Sequence, residues 1–166
     1  MKCILREWRL EDAEKLSFMM NNPRIQENLR DGIPYPYRLR DAEEFILTTL
    51  LNNREFSLAI TVKEEVVGSI GVFRRENIHF RTAEIGYYIA ESHWGKGIGT
   101  NALKQICQKV FETTDIVRIF AEPFSDNLAS CHILEKAGFQ REGTLRKNAI
   151  KNGQFKDMQM YALIKD

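Results

Sequence analysis

Three glycines at alternate positions, Gly95, Gly97 and Gly99, are interleaved with Lys96 and Ile98 and followed by Thr100 and Asn101. A β-rich run, Thr82–Ala90, precedes them, and the helical spacing of Ala102, Leu103, Ile106, Val110 and Phe111 follows. The stretch Thr82–Ala102 therefore reads as strand, glycine loop and helix. Glycine backbone adopts positive φ and approaches a ligand closely, while a helix start leaves N–H donors unpaired with a partial positive charge behind them. An anion held there gains about 0.3–1 kcal/mol from the helix dipole, and up to ~2 kcal/mol when partly buried. A dinucleotide fingerprint requires G-x-G-x-x-G, and here the third glycine comes one residue early. A phosphate loop of the G-K-[ST] type requires a hydroxyl after its lysine, whereas Lys96 lies between glycines. From spacing alone, a phosphate cradle and a tight strand-to-helix turn both stand.

Other reactive residue types are sparse. Glu84 lies in AEIGY on the strand beside the loop, either a base or a surface carboxylate. Cys131 adjoins His132, but neighbouring helical residues point in different directions, so Cys131 reads as core and His132 as surface. His79 and His93 have no ligand partners at metal spacing, and no metal is expected.

The elements that must position these groups alternate. Cys3–Trp8 reads as a first strand, Asp12 opens a helix through Met20, Ile25–Leu29 makes a second helical piece, and Asp41 starts a third. Glu55–Lys63 and Val66–Arg74 read as a hairpin around Glu64-Glu65. Ile116–Glu122 is a short apolar strand, and Asn127–Lys136 a compact helix closed by Gly138. Phe139–Leu145 and Phe155–Ile164 form a second hairpin around Asn152-Gly153. The pattern predicts mixed strands and helices around one sheet, antiparallel at both ends, with one βαβ unit between Thr82 and Glu122, and not a doubly wound fold.

At 166 residues the chain reads as one domain, 1–166, long enough to bury about 70% of its unfolded surface. The 43% hydrophobic and 28% charged content is that of a soluble globule. A net charge of +1 offers no general attraction to nucleic acid or to an anionic membrane, so neither is an expected partner. Neither a leader-like N-terminal run nor a bilayer-length apolar stretch is seen, and three scattered cysteines lack metal-ligand spacing, which places the chain in the cytoplasm with reduced thiols.

The run AEPFSDNLASCHILEKAGFQREG, taken with WGKGIGTNAL, resembles the GNAT superfamily of N-acetyltransferases, most closely its RimJ/RimL-like ribosomal-protein branch. LREWRLEDAEKL, PYPYRLRDAEEFI, VVGSIGV, AEIGYYI and EGTLR…NGQFKDMQMYALI follow in family order, so the similarity spans nearly the whole chain. The resemblance implies an α+β, three-layer domain with a mixed, mostly antiparallel sheet of about seven strands around a βαβ acyl-CoA unit. It also implies acetyl-CoA as donor and direct transfer in a ternary complex.

By that resemblance the pyrophosphate loop falls on Trp94, Gly95, Lys96, Gly97, Ile98 and Gly99, with Thr100 entering the helix. Trp94 departs from the family's usual Gln or Arg. Asn127 would approach the pantetheine amides, Ser130 lies three positions on, and Ile89 and Ala90 would offer main-chain groups to the same arm. Lys136 would meet a CoA phosphate or stand as a solvated helix-end lysine. Glu84 is the candidate base. Many members carry a tyrosine seven residues after the helix Asn; here it is Leu134, and Ser130 is the natural substitute as acid. Tyr35, Tyr37 and Tyr88 are candidates for lining the acceptor site, and the strand edge near the C-terminal hairpin suits a homodimer. The implied reaction is acetyl transfer to a primary amine, foremost a protein or peptide N-terminus. Polyamine or antibiotic acetylation, or CoA binding without turnover, are the alternatives.

Overall fold

A computed structural model describes residues 1–54 and 56–166, so the first residue of the expected strand Glu55–Lys63 lies outside the described residues. The strands are β1 (Ile4–Arg6), β2 (Ser57–Val62), β3 (Glu65–Arg74), β4 (Thr82–Ile89), β5 (Arg118–Ala121), β6 (Gln140–Lys151) and β7 (Gln154–Ile164). They form one seven-stranded sheet in the order β1-β2-β3-β4-β5-β7-β6. Only β4 and β5 pair in parallel; the remaining neighbours are antiparallel. The helices are α1 (Ala13–Met20), α2 (Pro23–Gln26), α3 (Leu39–Leu51), α4 (Ile98–Thr113) and α5 (Leu128–Lys136). The result is the three-layer domain expected, with α4 as the crossover of the single βαβ unit.

Each face of the sheet carries its own core. Ile98, Ala102, Leu103, Ile106 and Val110 share the inward stripe of α4 and pack with Leu134 of α5 on Ile70, Ala83, Ile85 and Ile119. Full burial of each Leu, Ile or Val side chain among them contributes about 1.5–3 kcal/mol. On the other face, Leu16 and Met20 of α1 and Ala42 and Ile46 of α3 pack with Trp8, Tyr37 and Ala59. Among the described residues, no helix is long and apolar enough to cross a membrane.

Several boundaries differ from expectation: β1 and β5 are shorter than Cys3–Trp8 and Ile116–Glu122, α3 starts at Leu39 ahead of Asp41, and three others have a visible cause. The Asn22 side chain accepts the Arg24 N–H at 2.9 Å and starts α2 at Pro23, ahead of Ile25. Helix α4 begins at Ile98, two residues before Thr100, because Gly97 serves as its N-cap in the left-handed region. Strand β6 runs past Leu145 to Lys151 through an irregularity between Leu145 and Ala149. There Lys147 has φ +52° and its N–H donates to the Asp157 carboxylate at 2.7 Å, which holds the bulge in the ladder.

Candidate active site

The parallel pair at the sheet centre separates soon after it starts. β4 pairs with β5 only from Thr82 to Glu84, against Arg118 to Phe120; β5 then stops at Ala121 while β4 continues to Ile89. The β3 register, closed by the Ala90 N–H on the Val67 carbonyl at 2.7 Å, turns the main-chain groups of Tyr87 and Ile89 toward the gap. The gap opens into a cleft of about 1590 Å³ lined by β4, the glycine loop, α5, and residues of the segment from α1 to α3.

The loop stands at the end of this open edge. Gly95 and Gly97 have φ of +71° and +76°, a conformation that costs other residues about 1–2 kcal/mol. Nothing lies within 4 Å of where a Cβ on Gly95 would stand, so the space beside it is free. Gly99 acts through packing instead, since a Cβ there would meet Ile133 at 3.2–3.3 Å, and it sets how closely α4 approaches α5. Trp94 through Thr100 all line the cleft. The Lys96 ammonium donates to the Ser92 carbonyl at 3.0 Å. The Trp94 indole N–H donates to the Ile89 carbonyl at 2.7 Å and fastens the loop to the strand end. The expected offer of main-chain groups by Ile89 and Ala90 is thereby narrowed, because the Ala90 N–H is taken by Val67 and the Ile89 carbonyl by Trp94.

Opposite β4, Asn127 caps α5, its carboxamide oxygen accepting the Ser130 N–H at 3.3 Å. The Ser130 hydroxyl lies 2.7 Å from the Tyr87 hydroxyl. Burial pushes the Tyr87 phenol up to about 12, against the opposing pull of the Ser130 hydrogen bond, so at neutral pH it keeps its proton. Leu134 is fully buried, leaving Tyr87 and Ser130 as the hydroxyls of this seam. Lys136 is exposed at the end of α5 and on the cleft wall. Cys131 is buried, with burial pushing its thiol up, and His132 is exposed; the two form no dyad.

The α1–α3 side of the cleft is rich in charge. The Glu84 carboxylate lies 3.9 Å from the Arg30 guanidinium and 3.7 Å from that of Arg75. Glu122, at the end of β5, is pushed up first by burial and then by the charge of Glu84, with Arg30 and Arg75 acting in the opposite direction. Arg30 also donates to the Glu122 carbonyl at 2.8 Å. Across the rim, Asn22 and Arg24 donate to the Glu91 carboxylate at 2.6 and 2.5 Å, tying α2 to the turn after β4.

The expected acceptor tyrosines part company. Tyr37 and Tyr88 line the cleft, Tyr37 buried in the second core and Tyr88 half-buried against it, with burial pushing Tyr37 up to about 12 and Tyr88 higher. Tyr35 is 55% exposed and outside the cleft lining, turned to solvent instead of the site. Tyr87, Glu122 and Arg30 join the site without having been expected there. Strand alternation was the available signal for Tyr87, since one step from Tyr88 reverses the face. Among the described residues no cluster of His, Cys, Asp and Glu is arranged to hold a metal.

An open strand edge ending in two left-handed glycines and a 16-residue helix suits a long ligand with a phosphate at one end. Comparison with known proteins agrees. The acetyltransferase (GNAT) domain family matches residues 2–140. The uncharacterized N-acetyltransferase p20 of Bacillus licheniformis is 31% identical over 165 residues, covering 97% of this chain and 92% of the relative. The ribosomal-protein-serine acetyltransferase of Escherichia coli (strain K12) is 28% identical over 144 residues, covering 83% and 80%. Among solved structures, the Microcin C7 self immunity acetyltransferase MccE in complex with acetyl-CoA and AMP superposes with a TM-score of 0.85 at 27% identity, covering 99% of this chain and 93% of that one.

Proposed function

Since the chain belongs to the GNAT acetyltransferase family, it is an acetyl-CoA-dependent N-acetyltransferase, and we propose that its acceptor is the α-amine of a protein or peptide. The observation that carries the reading is the separation of β4 from β5 beside the Gly95–Gly97 turn. It leaves an extended slot for the pantetheine arm, a cradle for its pyrophosphate, and an open mouth on the α1–α3 side. The similarity to a relative named for acetylating ribosomal-protein serine favours a polypeptide acceptor.

The residues divide the work as follows. The N–H groups at the start of α4, with Trp94, Gly95, Lys96, Gly97, Ile98, Gly99 and Thr100 around them, hold the pyrophosphate. The carboxamide nitrogen of Asn127 and the free main-chain groups of Tyr87 and Ile89 hold the pantetheine amides, and Lys136 meets a phosphate at the cleft wall. Acetyl-CoA supplies an acetyl thioester whose sulfur leaves as a thiolate of pKa about 8.5. Amines arrive largely protonated, so a carboxylate must first take a proton, and Glu84 with Glu122 supplies it, directly or through water. Arg30 and Arg75 keep this pair of carboxylates from repelling each other apart. Ser130 donates toward the sulfur from a hydroxyl pair with Tyr87, 2.7 Å apart, in which either oxygen can donate to the other. The exposed outer strand β6 leaves one edge for a homodimer, and acetyl-CoA supply and reduced thiols favour a cytoplasmic enzyme.

Glu27, Asp41, Glu44, Glu84 and Glu122 on the cleft wall favour a second reading, a polyamine acceptor. Thiol release from acetyl-CoA with N-terminally free peptides, the same peptides blocked, spermidine and an aminoglycoside tests both. Turnover of free but not blocked peptides is expected. Turnover with spermidine alone overturns the α-amine reading, and silence across the panel with retained CoA binding favours a non-catalytic CoA module.

A further inference from the structure

The face of the sheet beneath α1–α3 carries the second core, but one row of it is nearly bare. Ser57 of β2, Gly71 of β3 and Gly86 of β4 stand directly opposite one another, so three adjacent strands present almost no side chain there. The hollow is occupied unevenly. At Gly71, the far end of the Phe73 ring lies 2.6–2.8 Å from where a Cβ would stand, so the ring takes the space that a side chain there would need. At Gly86, nothing lies within 4 Å of the corresponding point. Phe73 remains 45% exposed, and it lines the cleft with Gly86, Phe45 and Tyr88. Phe73 is also the cross-strand partner of Glu84.

We propose that Phe73 and Gly86 form an acceptor subsite that takes the uncharged aliphatic side chain of the residue bearing the reacting amine. The subsite rests on the α-amine reading above and gives it a specificity. Glu84 and Gly86 are two positions apart on one face of β4, roughly 7 Å at strand rise. That separation suits an amine at the carboxylate with its own residue's side chain over the glycine. The floor is a bare backbone and the wall an aromatic face, so an aliphatic chain gains contact there. An acidic side chain over the glycine would lose water to an apolar floor and wall and would face Glu84, whose carboxylate already engages Arg30 and Arg75.

The test uses tetrapeptides that differ only in their first residue, Met, Gly or Asp, with CoA release as readout. The wild type is expected to prefer the Met peptide over the Asp peptide at least tenfold in kcat/KM. Gly86→Val fills the hollow at a strand position with no neighbour to displace, and its thermal midpoint reports folding. It should reduce the Met-over-Gly preference at least tenfold, and calorimetric titration of the Met peptide into the CoA-bound protein should weaken to the same degree. Phe73→Ala should reduce the same preference by removing the wall. An unchanged Met-over-Gly preference in both variants, with peptides turning over, overturns the subsite alone. Turnover of spermidine with none of the peptides overturns the α-amine reading and the subsite with it.

Discussion

Gly97 separates the two roles of the glycine loop, holding a backbone shape and leaving room for a ligand. Its φ of +76° lies where a side chain costs about 1–2 kcal/mol, so Gly97→Ala should lower stability by that amount. The added methyl reaches only 3.4 Å from the Met1 nitrogen, a tolerable contact, so no larger loss is expected. Gly97→Asn should be milder, because asparagine tolerates the left-handed region. Gly97→Glu carries the same backbone cost and also places a carboxylate at the start of α4. Loss of one charge-assisted hydrogen bond removes about 1.5–3 kcal/mol, and loss of the dipole contribution about 0.3–1. Together they weaken CoA binding by about 20- to 800-fold. Urea titration gives the stability change, and calorimetry with CoA gives the affinity. A Gly97→Glu protein that is destabilised as predicted but binds CoA within threefold of the wild type would refute the cradle.

Tyr87→Phe should lower kcat about 10- to 100-fold with CoA affinity within threefold, and adding Ser130→Ala should cost little more, since the two hydroxyls act as one unit. Independent, multiplicative losses in the kinetics would separate them. Glu122 binds its proton more tightly in the folded chain than in the unfolded one, where the value is 4.5, so ionising it costs the folded state. The penalty is absent below that value and grows as pH rises toward the raised folded value. Glu122→Gln should therefore raise the thermal midpoint at pH 7–8 and lose that advantage toward pH 4, while flattening the acidic limb of the rate profile; a midpoint gain equal at both pH values would contradict it. Trp94→Phe deletes the indole bond to the Ile89 carbonyl, about 0.5–1.5 kcal/mol, and should weaken CoA up to about tenfold by calorimetry.

Local signals in the chain are enough to predict the strand, glycine turn and helices that wall one side of the cleft. Glycine spacing, the apolar stripe of α4 and the Asn127 cap are short-range features, and each forms where its residues predict. The acceptor half depends on contacts distant in sequence. Tyr87 acquires its meaning from Ser130, 43 residues away, and periodicity alone does not say which face of β4 meets α5. Glu122 reads as the last residue of a short strand until the departure of β5 leaves it in the cleft beside Glu84. Tyr35 shows the converse error: an aromatic residue in a proline-rich turn reads as a recognition element, yet it faces solvent. The full length of β6 is hidden from the sequence because its bulge at Lys147 depends on Asp157 across the hairpin.

The indole that fastens the loop to β4 gives the molecule an optical property. The chain has two tryptophans, Trp8 and Trp94. Trp8 is 2% exposed and sits edge-on to Phe45 in the second core, whereas Trp94 is 44% exposed on the cleft wall. An excited indole responds to the polarity and contacts of its surroundings, so CoA bound at the loop as proposed should alter the emission of Trp94 while buried Trp8 should supply a steady background. Subtracting the spectrum of Trp94→Phe isolates that one emitter. Cofactor occupancy is then readable by fluorescence, with neither label nor acceptor present.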